Sequence, residues 1–279
     1  MNTRIVREHV LNNRRPIIMN KRLVFALLVL VLISGAVLAQ SDAQVRYAGV
    51  GFGYRPQAFG AVLPWVEAGT PYQADAAYFA NVAPHIAFTF TRPNPVHPDQ
   101  MFTGQLRVYR MPDLEAYPEP TYMQVVEELR SLDTTTLAAY ANANPDYRAA
   151  RLPFMPVLNA TQVMRAHPAV LNVDSAQGIE YFTYYSQAAE PILEGQVFYT
   201  FQGITSDGQY YFSFSMPVET GLLPADIPQD LNWDAFSARY PDYLQETFIA
   251  INSADPAAFT PSADDLHAFI ASLMIVAAP

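Results

Sequence analysis

An α+β fold, an antiparallel and hairpin-rich sheet covered by helices, is what the sequence predicts beyond residue 39. Three observations carry it. Two period-two strand patterns flank Asp207-Gly208, apolar residues recur at helical spacing near the C-terminus, and 51% of the chain is hydrophobic, enough to build a sizeable core.

The chain of 279 residues opens with a basic segment. Lys21 and Arg22 precede the apolar run Leu23 to Ile33, and Ala36-Val37-Leu38-Ala39 closes it with small residues. That order is a secretory signal, with Ala39 to Gln40 as the best-fitting cleavage point, Ala43 to Gln44 the second, and Met19 an alternative start. The competing expectation is a retained anchor, since Val24 to Ala39 falls just short of the roughly 17 residues that a span needs. The expected organisation is residues 1–39 as signal and 40–279 as one extracytoplasmic domain, secreted or held in the periplasm or cell envelope. Membrane contact would pass through residues 23–39 alone, if they are kept.

Next come three strand patterns: Val45 to Tyr54, His85 to Phe90 and Gln105 to Arg110. Arg92 to Asp99 and Met111 to Pro120 are dense in proline and are expected as surface loops. Tyr122 to Leu132 has helical spacing. The clearest passage is Gly178 to Pro217, where Asp207-Gly208 predicts a type I′ hairpin with Phe201 opposite Phe214, Tyr199 opposite Met216 and Gln202 opposite Ser213. Ile179 to Gln187 is expected as a third strand of that meander. Trp233 to Asn252 reads as helix, kinked or restarted at Pro241. A last helix is expected from Thr260 as N-cap and Pro261, with Leu266, Phe269, Ile270, Leu273 and Met274 on its buried stripe.

Composition excludes several chemistries. Beyond residue 39 stand 10 arginines against 25 acids, a net −15, and Lys21 is the single lysine of the chain. A P-loop, a lysine Schiff base and a kinase-type lysine are therefore absent from that part, and zero cysteines remove thiol catalysis, cysteine-held metals and disulfides. The acidity argues against nucleic acid as a partner. Gly49 to Gly53 lacks the spacing of a dinucleotide loop, no GxSxG string occurs, and no cofactor is implied. The nearest approach to a metal pair is His97 with Asp99, which needs further ligands from elsewhere. His85 and His267 read as structural residues.

The positive hint is aromatic. Eleven of the 36 aromatic residues lie between Tyr181 and Phe214. If one face of the hairpin is core, the other carries Phe198, Gln202 and Tyr211, with Tyr184 alongside, a platform suited to a sugar ring or an apolar peptide. The competing expectation is a second layer that covers this face.

The strings Val45-Arg46-Tyr47-Ala48-Gly49-Val50-Gly51-Phe52-Gly53-Tyr54-Arg55-Pro56, Gly178 to Tyr185, Gln196-Val197-Phe198-Tyr199 and Asp207 to Tyr211 resemble exported bacterial proteins of uncharacterised function. More distantly, they resemble the extrinsic oxygen-evolving-enhancer family of photosystem II. The resemblance covers about half of the exported part and implies an antiparallel sheet between helices and a non-enzymatic accessory role. No functional residue carries over. The sequence thus points to a secreted or envelope-attached binding protein with a glycan or protein partner. The alternative is an extracytoplasmic hydrolase whose Asp, Glu and His residues converge from separate elements.

Overall fold

Alternation along the central strands decides the architecture. In a computed structural model that describes residues 42–146 and 148–276, the alternating residues of β9 (Phe198–Thr205) and β10 (Tyr210–Pro217) are buried by two different layers. The segment expected to be a signal, residues 1–39, lies outside the described residues. Asp42–Pro279 forms one compact unit.

The elements are β1 (Ala43–Tyr47), β2 (Val50–Tyr54), α1 (Pro56–Phe59), β3 (Ala61–Glu67), β4 (His85–Pro93), β5 (Met101–Arg110), α2 (Met111–Ala116), α3 (Pro120–Ser131), β6 (Asn142–Ala143), β7 (Thr161–Asn172), β8 (Ala176–Ser186), β9 (Phe198–Thr205), β10 (Tyr210–Pro217), α4 (Trp233–Ala238), α5 (Tyr240–Ser253), α6 (Ala263–Ala271) and β11 (Met274–Ile275). Eight strands form an antiparallel sheet in the order β3-β4-β5-β10-β9-β8-β7-β6. A smaller sheet has the order β1-β2-β11. The α+β class expected from the sequence is the one observed.

On one face Phe88, Phe90, Leu106, Phe201 and Phe214 pack with Phe52, Phe59, Leu244, Ile251 and Phe269 in the larger core. Phe269 of α6 sits at its centre, its ring 4.6 Å from Phe214 and 5.2 Å from both Phe52 and Phe59. Burial of one such ring stabilises the fold by about 1.5–3 kcal/mol. The other face is covered by α2, α3 and the segment near Met155, which close over Tyr109 and Tyr211, while Leu137 and Leu152 close over Ile179 and Tyr181.

The β9–β10 register is the expected one: Phe201 meets Phe214, Tyr199 meets Met216 and Gln202 meets Ser213. The turn differs. Gly208 takes φ +71°, Asp207 is not in the left-handed region, and the Gly208 N–H donates to Thr205 O. Asp207 Oδ1 accepts from Thr205 Oγ1 and from the Gln209 N–H, so a side-chain cap organises a longer loop. The register survives because the loop gains one residue from each strand.

Other expectations are corrected. Val45 to Tyr54 is a hairpin and not one strand, because Ala48 and Gly49 both take positive φ and fold β1 onto β2. Met111 to Pro120 is largely helical: Pro112 and Pro120 occupy first turns, where no N–H is needed. Arg92 and Pro93 finish β4, which leaves a shorter loop after them. At Pro241 the second of the two expected arrangements is the one observed, a new helix α5 with the proline in its first turn. Ser262, not Thr260, caps α6 through Asp265 N–H, while Thr260 exchanges backbone hydrogen bonds with Glu219, and Met274 lies beyond the helix in β11 with an exposed side chain.

Candidate functional site

The aromatic platform is interior. Tyr211 and Gln202 have no exposed surface, and every polar group of the Gln202 amide is used. Its oxygen accepts from the Tyr211 hydroxyl (2.8 Å) and Met155 N–H (3.1 Å), and its nitrogen donates to Thr200 Oγ1 and Ser213 Oγ. Phe198 stacks on Tyr185 and touches Phe154. Because Phe198 pairs with Thr183, Tyr184 points to the opposite face, where it joins the large core. The covering layer therefore takes the place of a ligand at Gln202 and Tyr211 and packs on the half-buried Phe198, while the large core takes up Tyr184, a correction to the sequence reading.

His97 and Asp99 do not form a pair either. His97 Nε2 lies 3.3 Å from Asp226 Oδ1, the acid that the loop folding brings to it. Among the described residues no group of three or more His, Asp or Glu side chains is placed to hold a metal. His267 on α6 meets the Glu180 carboxylate of β8, and His167 contacts Ile251 O.

Several clefts are open among the described residues, including wider ones of about 600 Å³ beside Asp207 and Met274 and about 490 Å³ beside Arg130 and Gln177. The one that gathers an indole, an imidazole and a guanidinium is a cleft of about 360 Å³ on the α3 face of the sheet. Two rungs of the sheet build its floor. Register pairs Glu67 with His85, and the next position of β5 is Tyr109, whose ring lies 4.8 Å from the imidazole. The adjacent rung on the same face is Trp65, Ala87 and Arg107. Strands about 4.8 Å apart place Trp65 and Arg107 about 10 Å from each other across Ala87. Tyr78, Phe79 and Val82 form one wall, and Thr121, Tyr122 and the segment 156–159 form the other. Tyr122 fixes the walls together: its hydroxyl accepts from Ala83 N–H and donates to Asn81 O, both at 3.1 Å. The Tyr78 hydroxyl donates to Leu158 O (3.0 Å) and divides this cleft from a smaller one of about 200 Å³ that contains Glu128 and Arg151.

The cleft is mixed in charge. Arg107 Nη2 donates to Gln105 Oε1, and no carboxylate among the described residues lies within 4.0 Å of its guanidinium. Burial lowers its pKa. His85 shares Nδ1 with Ala83 O at 2.9 Å, and its pKa is lowered, first by burial. The neutral ring then carries its proton on Nδ1 and leaves Nε2 as an acceptor. Glu67 Oε1 accepts from Gly69 N–H at 3.1 Å.

The chain matches no family model, no curated protein and no solved structure. The cleft must be read from its own chemistry.

Sequence reasoning assigned none of Trp65, Glu67, Arg107 or Tyr109 to a site and took His85 as structural. One signal was present. In Gln105 to Arg110 polar side chains alternate with Leu106 and Val108, which puts Gln105 and Arg107 on the face away from the large core.

Proposed function

We propose that this chain is an exported, non-enzymatic binding or accessory protein whose ligand occupies the cleft between Trp65 and Arg107. One observation carries the reading: a partly buried guanidinium with no carboxylate of its own stands opposite an indole in a cleft of small-molecule size. The basic and apolar start of the sequence supports export. An accessory role is also what the resemblance to exported bacterial proteins and the oxygen-evolving-enhancer family implies. For hydrolysis by paired carboxyls a second acid would have to reach the cleft. Glu67 is the single carboxylate that lines it among the described residues.

The ligand would be a molecule of the cell exterior or envelope. Native mass spectrometry of protein recovered from outside its host cells should show a small bound molecule, and Val82→Trp, which fills the cleft, should lose it. Wild-type protein that carries nothing, and whose melting temperature no fraction of the surrounding medium shifts, would count against the proposal.

A further inference from the structure

We infer that the cleft takes a monocarboxylate with an aromatic or apolar body, its carboxylate on Arg107 and its body against Trp65. The inference rests on the cleft being the binding site.

Arginine is scarce in this acidic unit, and most of it is spoken for. Arg55, Arg92, Arg110, Arg130, Arg151 and Arg239 each meet a carboxylate. Arg165, with 1% exposure, is used up on Tyr140 O, Gln162 O and Asn142 Oδ1. Arg107 has one hydrogen bond, to Gln105, and so most of its five N–H donors have no acceptor among the described residues. Gln105 steadies the guanidinium without neutralising it. A planar fork held in this way matches the two oxygens of a carboxylate.

The rest of the rung describes the ligand's body. Trp65, about 10 Å from Arg107 across Ala87, offers a ring face, and Phe79, 50% exposed, stands on the wall beside it. A carboxylate joined to one ring or short apolar chain spans that distance. The second rung limits the charge. His85 is neutral near pH 7 and Glu67 is an acid, so the cleft holds one positive and one negative protein charge. A second negative charge on the ligand would face Glu67 with nothing to balance it. Dianionic phosphate is disfavoured for the same reason.

Trp65 and Trp233 are the two tryptophans of the chain, so Trp233→Phe leaves Trp65 as the reporter. Phenylacetate titrated into this variant at neutral pH should change Trp65 emission saturably and bind at least about 10-fold more tightly than phenylacetamide, a difference of about 1.4 kcal/mol. Arg107→Gln should reduce phenylacetate to the level of the amide and leave the amide unchanged. Arg107→Lys, which keeps the charge and loses the fork, should fall between the two and covers the case in which the glutamine variant fails to fold. Equal binding of acid and amide, or displacement of phenylacetate by inorganic phosphate, overturns the carboxylate assignment and leaves the cleft as a site. A Trp65 signal that responds to neither probe overturns both.

Discussion

His267 Nε2 lies 2.8 Å from Glu180 Oε2, and the same oxygen accepts from the buried Tyr199 hydroxyl at 2.7 Å. The contact ties α6 to β8. Its hydrogen bond with Glu180 raises the His267 pKa above 6.5 against the opposing effect of burial. The stabilisation is therefore complete below about pH 6.5 and is lost as pH rises through the raised value. Thermal melts of wild type and His267→Gln should differ most near pH 6 and converge by about pH 9. A gap that widens with pH would refute this.

His85 has the opposite sign. Burial, assisted by Arg107, lowers its pKa from 6.5, while the Ala83 carbonyl opposes the shift. Its contribution is present above about pH 6.5 and is lost as pH falls through the lowered value. His85→Gln should flatten the acid side of the stability profile, between about pH 7 and about pH 5, and leave the alkaline side to His267.

Gln202 anchors the second layer to the sheet. Gln202→Leu keeps the volume but strands Met155 N–H and the Tyr211 hydroxyl, both buried, while Ser213 Oγ still donates to Met155 O. A loss of about 2–4 kcal/mol in urea unfolding is expected, with the m-value unchanged. Normal stability would return these residues to the list of ligand contacts.

Gly178 faces Gly203 across the β8–β9 pair. A Cβ at Gly178 would stand 2.6 Å from Gly203 Cα and closer still to Gln202 O, backbone atoms that have little freedom to yield. Gly178→Ala should cost about 3 kcal/mol. Gly208→Ala, where φ is +71° and no neighbour lies within 4 Å, should cost about 1–2 kcal/mol. Paired denaturation curves that reverse this order would show that the strands separate easily.

Legibility in the sequence followed periodicity. The β9–β10 register could be read because both strands alternate without interruption. β7 hid itself: register shifts between Gln162 and Met164 and between Ala166 and Ala169 break its period. β3 carries Pro64, tolerated because the strand lies at an edge, and an unread β3 left Trp65 and Glu67 without a place. The cleft was invisible for a further reason. Residues 65, 85 and 107 become neighbours through sheet order alone, whereas the aromatic hairpin advertised a platform that α3 and the Met155 segment turn into core.

The order β5-β10 has a kinetic consequence. Arg110 finds Tyr210 across one hundred residues of chain, so β3, β4 and β5 cannot join the rest of the sheet until β10 has been made. Contacts this distant in sequence close slowly, because the loop entropy is lost before any pairing is gained. The strands that carry Trp65, His85 and Arg107 therefore reach their final setting late in folding. Ligand competence should appear in the slowest refolding phase, after the β9–β10 hairpin has closed.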